Sequence, residues 1–501
     1  MRFRSLPDTR ARAGWFAGAV VLALGAGVLS APWPAHLGDS TTGDKALAAE
    51  VREATDGVER MGMSVALLEN GRVRRAGLGD TGTGAAVTSR TPFEIGSVTK
   101  TLTASVFADM VEDGVVKPDD KVRDVLPDRE WKRGSVGDVT LAELASQRSG
   151  LPVMPLVPKT FANLLTYPVF GVDIRSAADA EELIDSAATS PRPTPGEYAY
   201  SNLGFAFLGQ VLAGKAGVPY TELLRERLLD PVGLQETTVP RSRVEIPAGA
   251  AEGHDGIGRH VQPWIGIGSA PAGAGVWSTA DDMATYVDAV MRGTAPGSDA
   301  TKPRYPAGES RIGYAWMTSA KKGGGSIVWH NGESGGCSTF VGFDRASERT
   351  VVVLSNTTAD VDAVGVELLT GIDESDEERS ASPLAAGIGL LFPPLAGAAL
   401  LVAALGGVRP SRRREPSRAR IVSAAGSGLF LFAVTYAGAA VGALSIAGWL
   451  VGSALVGAGV FVAAVRWRRL RWVDEKYRVF RWVDAAFWAV VGLVFAIGAA
   501  G

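Results

Sequence analysis

From Met63 the chain reads Ser-Val-Ala-Leu-Leu-Glu up to Asn70-Gly71, then Arg72-Val-Arg-Arg-Ala76: extended runs around the strongest short hairpin signal. Further along, Ile312–Trp316, Ser326–Trp329, Ser338–Asp344 and Thr350–Ser355 are short β-rich runs separated by glycine-rich or charged turns, the pattern of an antiparallel meander. Between these groups the periodicity is helical. Thr140-Leu-Ala-Glu143 and Ser278/Thr279 before Asp282 are N-terminal capping signals, and Ser201–Ala213 and Thr221–Leu229 carry helical apolar spacing. Leu151–Pro158 and Ala295–Gly308 read as surface loops, and no internal repeat is evident. The class predicted is α/β, an antiparallel sheet flanked by helices with a mainly helical subdomain inserted between its two groups of strands.

The ends of the chain follow a different pattern. Arg2, Arg4, Arg10 and Arg12 precede an apolar run from Trp15 to Leu29, a charged start feeding a hydrophobic export segment. Pro32 directly after Ala31 makes a poor cleavage site, so this segment is either a removed signal peptide or a retained anchor. Leu384–Val408 is uncharged and long enough to cross a bilayer, Ile421–Val465 is long enough for two crossings with a turn among Gly438–Ser445, and Ala485–Gly501 is a further stretch. The expectation is about four C-terminal spans. Arginines 409, 412, 413, 414, 418 and 420, then Arg466, Arg468, Arg469, Arg471, Lys476, Arg478 and Arg481, place both intervening loops in the cytoplasm. The polar body then lies outside, in agreement with an N-terminal segment whose arginines stay inside. Trp467, Trp472, Tyr477 and Trp482 suit either an interfacial belt or an amphipathic helix on the inner leaflet. The spans contain no ionisable side chain other than Tyr436, which argues against an ion or proton path.

The division predicted is 1–35 as signal peptide or anchor, 36–370 as the extracytoplasmic domain, 371–383 as an acidic linker, and 384–501 as the membrane region. Composition agrees: 46% of the 501 residues are hydrophobic, 21% are charged, and the mean hydropathy is +0.13. A net charge of −3 supplies no general attraction for nucleic acid. Cys337 is the only cysteine and there are four histidines, which excludes an internal disulfide and a cysteine-rich zinc site.

Three short motifs can carry chemistry. Ser97-Val-Thr-Lys100 opens an apolar helix, so the serine hydroxyl and the lysine amine emerge one turn apart on the same face. A lysine held out of water loses proton affinity and can take the serine proton. Tyr200-Ser-Asn202 precedes another apolar helix; its phenol can move a proton and its amide can orient lysine and substrate. His330-Asn-Gly332, continuing to Glu333-Ser-Gly-Gly336-Cys, ends a strand whose glycines admit a ligand close to the backbone. Taken singly, each fits an ordinary cap, turn or structural histidine.

Together and in this order, Ser97-x-x-Lys100, Tyr200-x-Asn202 and His330-x-Gly332 resemble the motifs of the penicillin-recognising serine hydrolases, in their class C β-lactamase-like and D-Ala-D-Ala carboxypeptidase-like branch. The resemblance extends over roughly Leu47 to Leu369, including Gly273-Ala-Gly275-Val-Trp-Ser-Thr. It implies a β-lactamase-like fold, Ser97 as acylated nucleophile, Lys100 and Tyr200 sharing proton transfer, Asn202 orienting lysine and substrate, and the Ser97 and Glu333 amides as oxyanion hole. His330 stands where true β-lactamases carry the lysine of Lys-Thr-Gly, which weakens the fixed positive charge available to a substrate carboxylate. No counterpart of the class A deacylating glutamate motif is present, so deacylation falls to the tyrosine and lysine pair.

The activity implied is that of a membrane-anchored serine hydrolase forming an acyl-enzyme on amides or esters, D-amino-acid peptides of peptidoglycan type among them. Its alternative is a non-catalytic penicillin-binding sensor coupled to the spans. No metal or organic cofactor is implied. The partners expected are a small-molecule or peptide substrate, cell-wall fragments among them, and the lipid bilayer, with no nucleic acid.

Overall fold

The computed structural model describes residues 9–55, 61–154, 179–372, 383–405, 417–439, 445–470, 472 and 483–492. It divides into two compact units: one holds Met1–Pro34 and Ser380–Gly501 with Pro168–Phe170, the other Ala35–Tyr167 and Gly171–Arg379. Much of the acidic linker, the loop at Arg409–Arg414, and Tyr477 and Trp482 lie outside the described residues.

In the larger unit, β1 (Thr41–Gly43), β2 (Gly62–Glu69) and β3 (Arg72–Gly79) form one side of the main sheet. Asn70 and Gly71 join β2 to β3 with φ of 51° and 74°, the left-handed pair that a tight hairpin of this twist demands. β4 (Phe93–Glu94) and β5 (Trp277–Ser278) make a small separate pair. β6 (Tyr305–Ala307), β7 (Ser310–Ile312), β8 (Met317–Ala320), β9 (Ser326–Glu333), β10 (Ser338–Asp344) and β11 (Arg349–Ser355) complete a nine-stranded antiparallel sheet ordered β1-β3-β2-β11-β10-β9-β8-β7-β6. The last strand thus pairs with the first hairpin and closes the sheet from both ends of the unit.

One predicted strand is corrected. Ile312–Trp316 is not continuous: β7 stops at Ile312, and Gly313 to Trp316 turn, with Ala315 at φ 61°. Tyr314, Ala315 and Trp316 are all buried, so three consecutive side chains enter the core, which an alternating strand cannot arrange.

Helices cover both faces of the sheet. α1 (Thr9–Ser30) belongs to the other unit; here α2 (Lys45–Ala54) and the late helix Asp362–Thr370 pack on Met63, Val65, Phe340, Val351 and Val353. On the opposite face α3 (Thr99–Glu112), α4 (Ala180–Thr189), α5 (Asn202–Ala216) and α6 (Ala280–Arg292) share a core with Ala66, Val328, Val341, Phe343, Val352 and Leu354. Burial on both faces explains why β10 and β11 read as nearly unbroken apolar runs. Asp362–Thr370 is α7. The capping box at Thr140 and Glu143 and the Thr279 cap on Asp282 N–H form as their sequences predict.

In the smaller unit α1 is accompanied by α8 (Pro383–Leu405), α9 (Arg418–Ala439), α10 (Ile446–Arg466) and α11 (Val483–Gly492). Among the described residues, Ala13–Ser30, Arg418–Tyr436 and Ile446–Arg469 are long and apolar enough to cross a membrane, and Gly389–Leu405 and Val483–Gly492 are shorter apolar helices.

Candidate active site

Ser97 lies in a 3-10 turn, Gly96–Val98, that runs directly into α3. Gly96 has φ 50°, and a Cβ there would stand 2.4 Å from the Glu333 carbonyl oxygen and 2.9 Å from its amide nitrogen. Only glycine lets this turn meet the end of β9. From below, Val98, Leu102, Val106 and Met110 fix α3 in the core, which sets the direction in which Ser97 and Lys100 project.

Lys100 is fully buried. Its Nζ donates to Ser97 Oγ at 2.8 Å and to the Ala272 carbonyl at 2.8 Å, and lies 5.0 Å from the Tyr200 ring centroid. Removal from water pulls its pKa well below that of an ordinary lysine. Tyr200, on the loop before α5, donates from Oη to Ser97 Oγ at 2.7 Å. Burial of its hydroxyl raises the phenol to about 12, partly offset by the bond to Ser97. The arrangement therefore pairs an amine that sheds its proton easily with a phenol that keeps its own, both on one serine oxygen.

The carbonyl that receives Lys100 comes from a 3-10 turn, Ala270–Ala272. Gly273 follows at φ 114°, where a Cβ would stand 2.1 Å from the Gly96 carbonyl oxygen and 2.9 Å from the Ser97 nitrogen. Thr103, one turn beyond Lys100 on α3, donates to the Pro271 carbonyl at 2.8 Å and meets Tyr220 Oη at 2.6 Å.

β9 forms the other wall. Ile327 packs with the α2 and α7 side, so by alternation Val328, His330 and Gly332 face α3. His330 is buried, its Nδ1 lies 2.5 Å from the Asn331 carbonyl, and desolvation together with the charge of Lys100 lowers it to about 4. It is a neutral imidazole at neutral pH. A Cβ on Gly332 would stand 2.4 Å from the Ile95 carbonyl oxygen and 3.0 Å from the Ser97 nitrogen. Ser334 N–H donates to the Cys337 carbonyl at 2.9 Å, so antiparallel alternation turns the Glu333 N–H to the opposite edge of β9. On that edge β8 pairs no further than Trp329. The Ser97 and Glu333 amides consequently converge beside the serine.

Asn202 differs from expectation. It is the first residue of α5, capped by Ser201, and its Oδ1 is buried without a protein partner. Lys100 instead donates to the Ala272 carbonyl of the Ala270–Ala272 turn. Sequence reading also missed the Thr103–Tyr220 pair, and it placed Gly273 in the run Gly273–Thr279 of the family resemblance without a structural role. Cys337 is buried, and its thiol is pushed up to about 12 by that burial and by the nearby Glu94, which leaves it inert. No cluster of potential metal ligands occurs among the described residues.

The beta-lactamase family model matches residues 47–369, well over half of the chain. The chain belongs to the beta-lactamase family. This member is 29% identical over 237 residues to a beta-lactamase of Providencia stuartii, covering 46% of this chain and 56% of that one. It is 30% identical over 145 residues to the D-alanyl-D-alanine-carboxypeptidase/endopeptidase AmpH of Escherichia coli K12, covering 29% and 36% of the two chains. The alignments span about a third to three fifths of the curated relatives' lengths. A class C beta-lactamase structure from Rhodobacter sphaeroides superposes with a TM-score of 0.53 at 22% identity, over 63% of this chain and 95% of that one, and shows the shared fold. The penicillin-recognising resemblance and the β-lactamase-like α/β fold are thereby established.

Proposed function

We propose that this family member is a membrane-anchored serine hydrolase that works through an acyl-enzyme on Ser97. The observation that carries the reading is the serine oxygen held at 2.8 Å from a buried amine and 2.7 Å from a phenol, next to converging backbone amides. Neutral Lys100 accepts the hydroxyl proton as Ser97 attacks the acyl carbon, while its remaining N–H groups keep the bond to Ala272. Tyr200, protonated, donates to the departing amine or alkoxide, and the proton taken up by Lys100 passes back to the phenolate, so both groups regain their starting states. The Ser97 and Glu333 amides stabilise the tetrahedral oxyanion, a contribution of about 3–4 kcal/mol per donor in comparable sites. Asn202, whose buried Oδ1 has no protein partner, turns its amide toward the N–H of an acyl-side amide when substrate enters. Gly332 lets β9 close on the Ile95 carbonyl and the Ser97 amide, where a Cβ would clash.

The substrates proposed are amides or esters, with peptidoglycan-type D-amino-acid peptides the leading class. Neutral His330 offers no fixed cation to a substrate carboxylate, which argues against a dedicated antibiotic-resistance role. The membrane unit holds the hydrolase at the outer face, with the spans, their number and the arginine-rich cytoplasmic loops as the sequence pattern indicates.

The test is intact-protein mass spectrometry after incubation with β-lactams, D-Ala-D-Ala peptides and p-nitrophenyl esters. A Ser97 adduct that forms and turns over is expected, and its rate should rise with pH as Lys100 loses its proton. A permanent adduct would favour a sensor. Equal labelling of Ser97→Ala would refute the reading.

A further inference from the structure

We propose that α1 is not removed on export but remains as a structural helix of the membrane unit, docked antiparallel on α10. The inference rests on the membrane reading above. Phe16 meets Phe461 edge-on at 5.5 Å; a Cβ on Gly457 would stand 2.6 Å from the Ala23 Cβ and 2.9 Å from the Ala19 carbonyl oxygen; one on Gly27 would stand 2.6 Å from Ser453 Oγ. As the α1 numbers rise the α10 numbers fall, so the helices run in opposite directions along a seam of small residues. The arginine pattern independently requires this: Arg10 and Arg12 lie in the first turn of α1, and Arg466, Arg468 and Arg469 end and follow α10, on the same side of the bilayer.

Two further pairs agree. Gly448 meets Gly389 and Leu390, Gly452 meets Pro393, and Gly459 meets Leu400, so α8 and α10 are parallel, as two helices both entering from outside must be. Ser423 donates to Asp484 and Gly426 meets Trp488, making α9 and α11 parallel, both leaving the cytoplasm.

The deciding contact is Trp449. Its Nε1 donates to the Gly27 carbonyl at 3.1 Å in a buried setting, and its ring packs against Phe432 at 4.8 Å. Cleavage after α1 followed by its loss would strip that N–H of its protein partner and open the small-residue seam at Gly457 and Ser453. Together with the poor cleavage site at Ala31-Pro32, the packing assigns α1 a permanent place.

The experiment uses the full chain, carrying a C-terminal tag, in a host with an active signal peptidase. Carbonate extraction comes first: a chain released from membranes overturns the membrane reading and this inference together. For a chain that resists extraction, intact mass that includes residues 1–34 is expected, and a mass beginning after α1 overturns the inference alone. Phe16→Cys paired with Phe461→Cys should form a linked peptide with a short thiol cross-linker, whereas Phe16→Cys with Trp449→Cys should not. The reverse result, or no link in either, overturns the docking. Ser97 labelling is independent of all these outcomes.

A separate observation carries a second inference, which rests on the catalytic reading: the structure assigns Thr103 and Tyr220 as positioning residues for Lys100. Thr103 Oγ1 has one proton and two carbonyls within reach, Pro271 at 2.8 Å and the more distant Thr99 at 3.3 Å, so the arrangement that satisfies the Pro271 carbonyl has Tyr220 donating to Thr103. All of these groups are buried, and the turn they hold presents the Ala272 carbonyl to Lys100 and Gly273 to the Ser97 backbone. Thr103→Val should lower kcat for ester turnover about tenfold, leave KM unchanged, and move the acid limb of the rate profile to lower pH, since a displaced carbonyl no longer supports the charged amine. Thr103→Ser should restore both. Thr103→Val that loses only thermal stability, with kcat and the limb unmoved, overturns the assignment. Absence of any Ser97 adduct in the unaltered protein instead removes the catalytic reading itself.

Discussion

Both units bring backbones together through glycine, and they do so for different reasons. At the active site Gly96 and Gly273 have φ of 50° and 114°, so they supply a conformation as well as space. In the helical unit Gly27, Gly397, Gly452 and Gly457 sit within regular helices and supply space alone. On the proposed function, the first kind of glycine aims amides at a reacting oxygen and the second lets helices approach where water cannot drive them together. Close approach is thus a means to chemistry in one unit and to cohesion in the other.

Substitutions can break or sharpen that contrast. Ser97→Ala, which leaves every glycine in place, should lower ester turnover by at least about 10⁴-fold, read by steady-state kinetics. Gly332→Ala should cost about 10²–10³-fold in acylation by displacing the Ser97 and Glu333 amides. Gly457→Ala should leave acylation unchanged while loosening α1 from α10, measured as a fall in the Phe16–Phe461 cross-link yield. An equal effect of both alanines on acylation would dissolve the distinction.

His330 gives a pH test confined to the hydrolase unit. Its pKa is about 4 when folded against 6.5 unfolded, so the unfolded chain binds more protons between these values. Stability from this group is present above pH 6.5 and is lost as pH falls to 4, up to about 3 kcal/mol. Denaturant titrations of His330→Gln should show a flatter profile in that window. The smallest effect expected is Trp449→Phe, which should weaken the α1 contact by about 1 kcal/mol through the lost indole donor, seen as a slight drop in cross-linking.

Much of this was legible in the sequence where a local rule governs. Asn70-Gly71 announces its hairpin, Thr140 and Glu143 their cap, and the i, i+3 spacing puts Ser97 beside Lys100. Legibility failed where a distant segment decides. Nothing local says that Ala272 takes the lysine in place of Asn202, because the partner is a backbone carbonyl 172 residues away. Tyr314–Trp316 resembled a strand because hydrophobic residues suit a core however the backbone delivers them. The Thr103–Tyr220 pair was invisible for a related reason: hydroxyls in helices are commonplace, and their meeting depends on packing.

Residues 35–379 are bracketed in the chain by α1 and α8, helices of a single unit. Under the proposed topology, a retained α1 makes the hydrolase a staple with both legs in the lipid. One protease nick near either end would not shed it into the surroundings; release requires two cuts. On that proposal its encounters with acyl donors are confined to whatever comes within reach of the envelope surface, and its turnover becomes a question of lateral traffic.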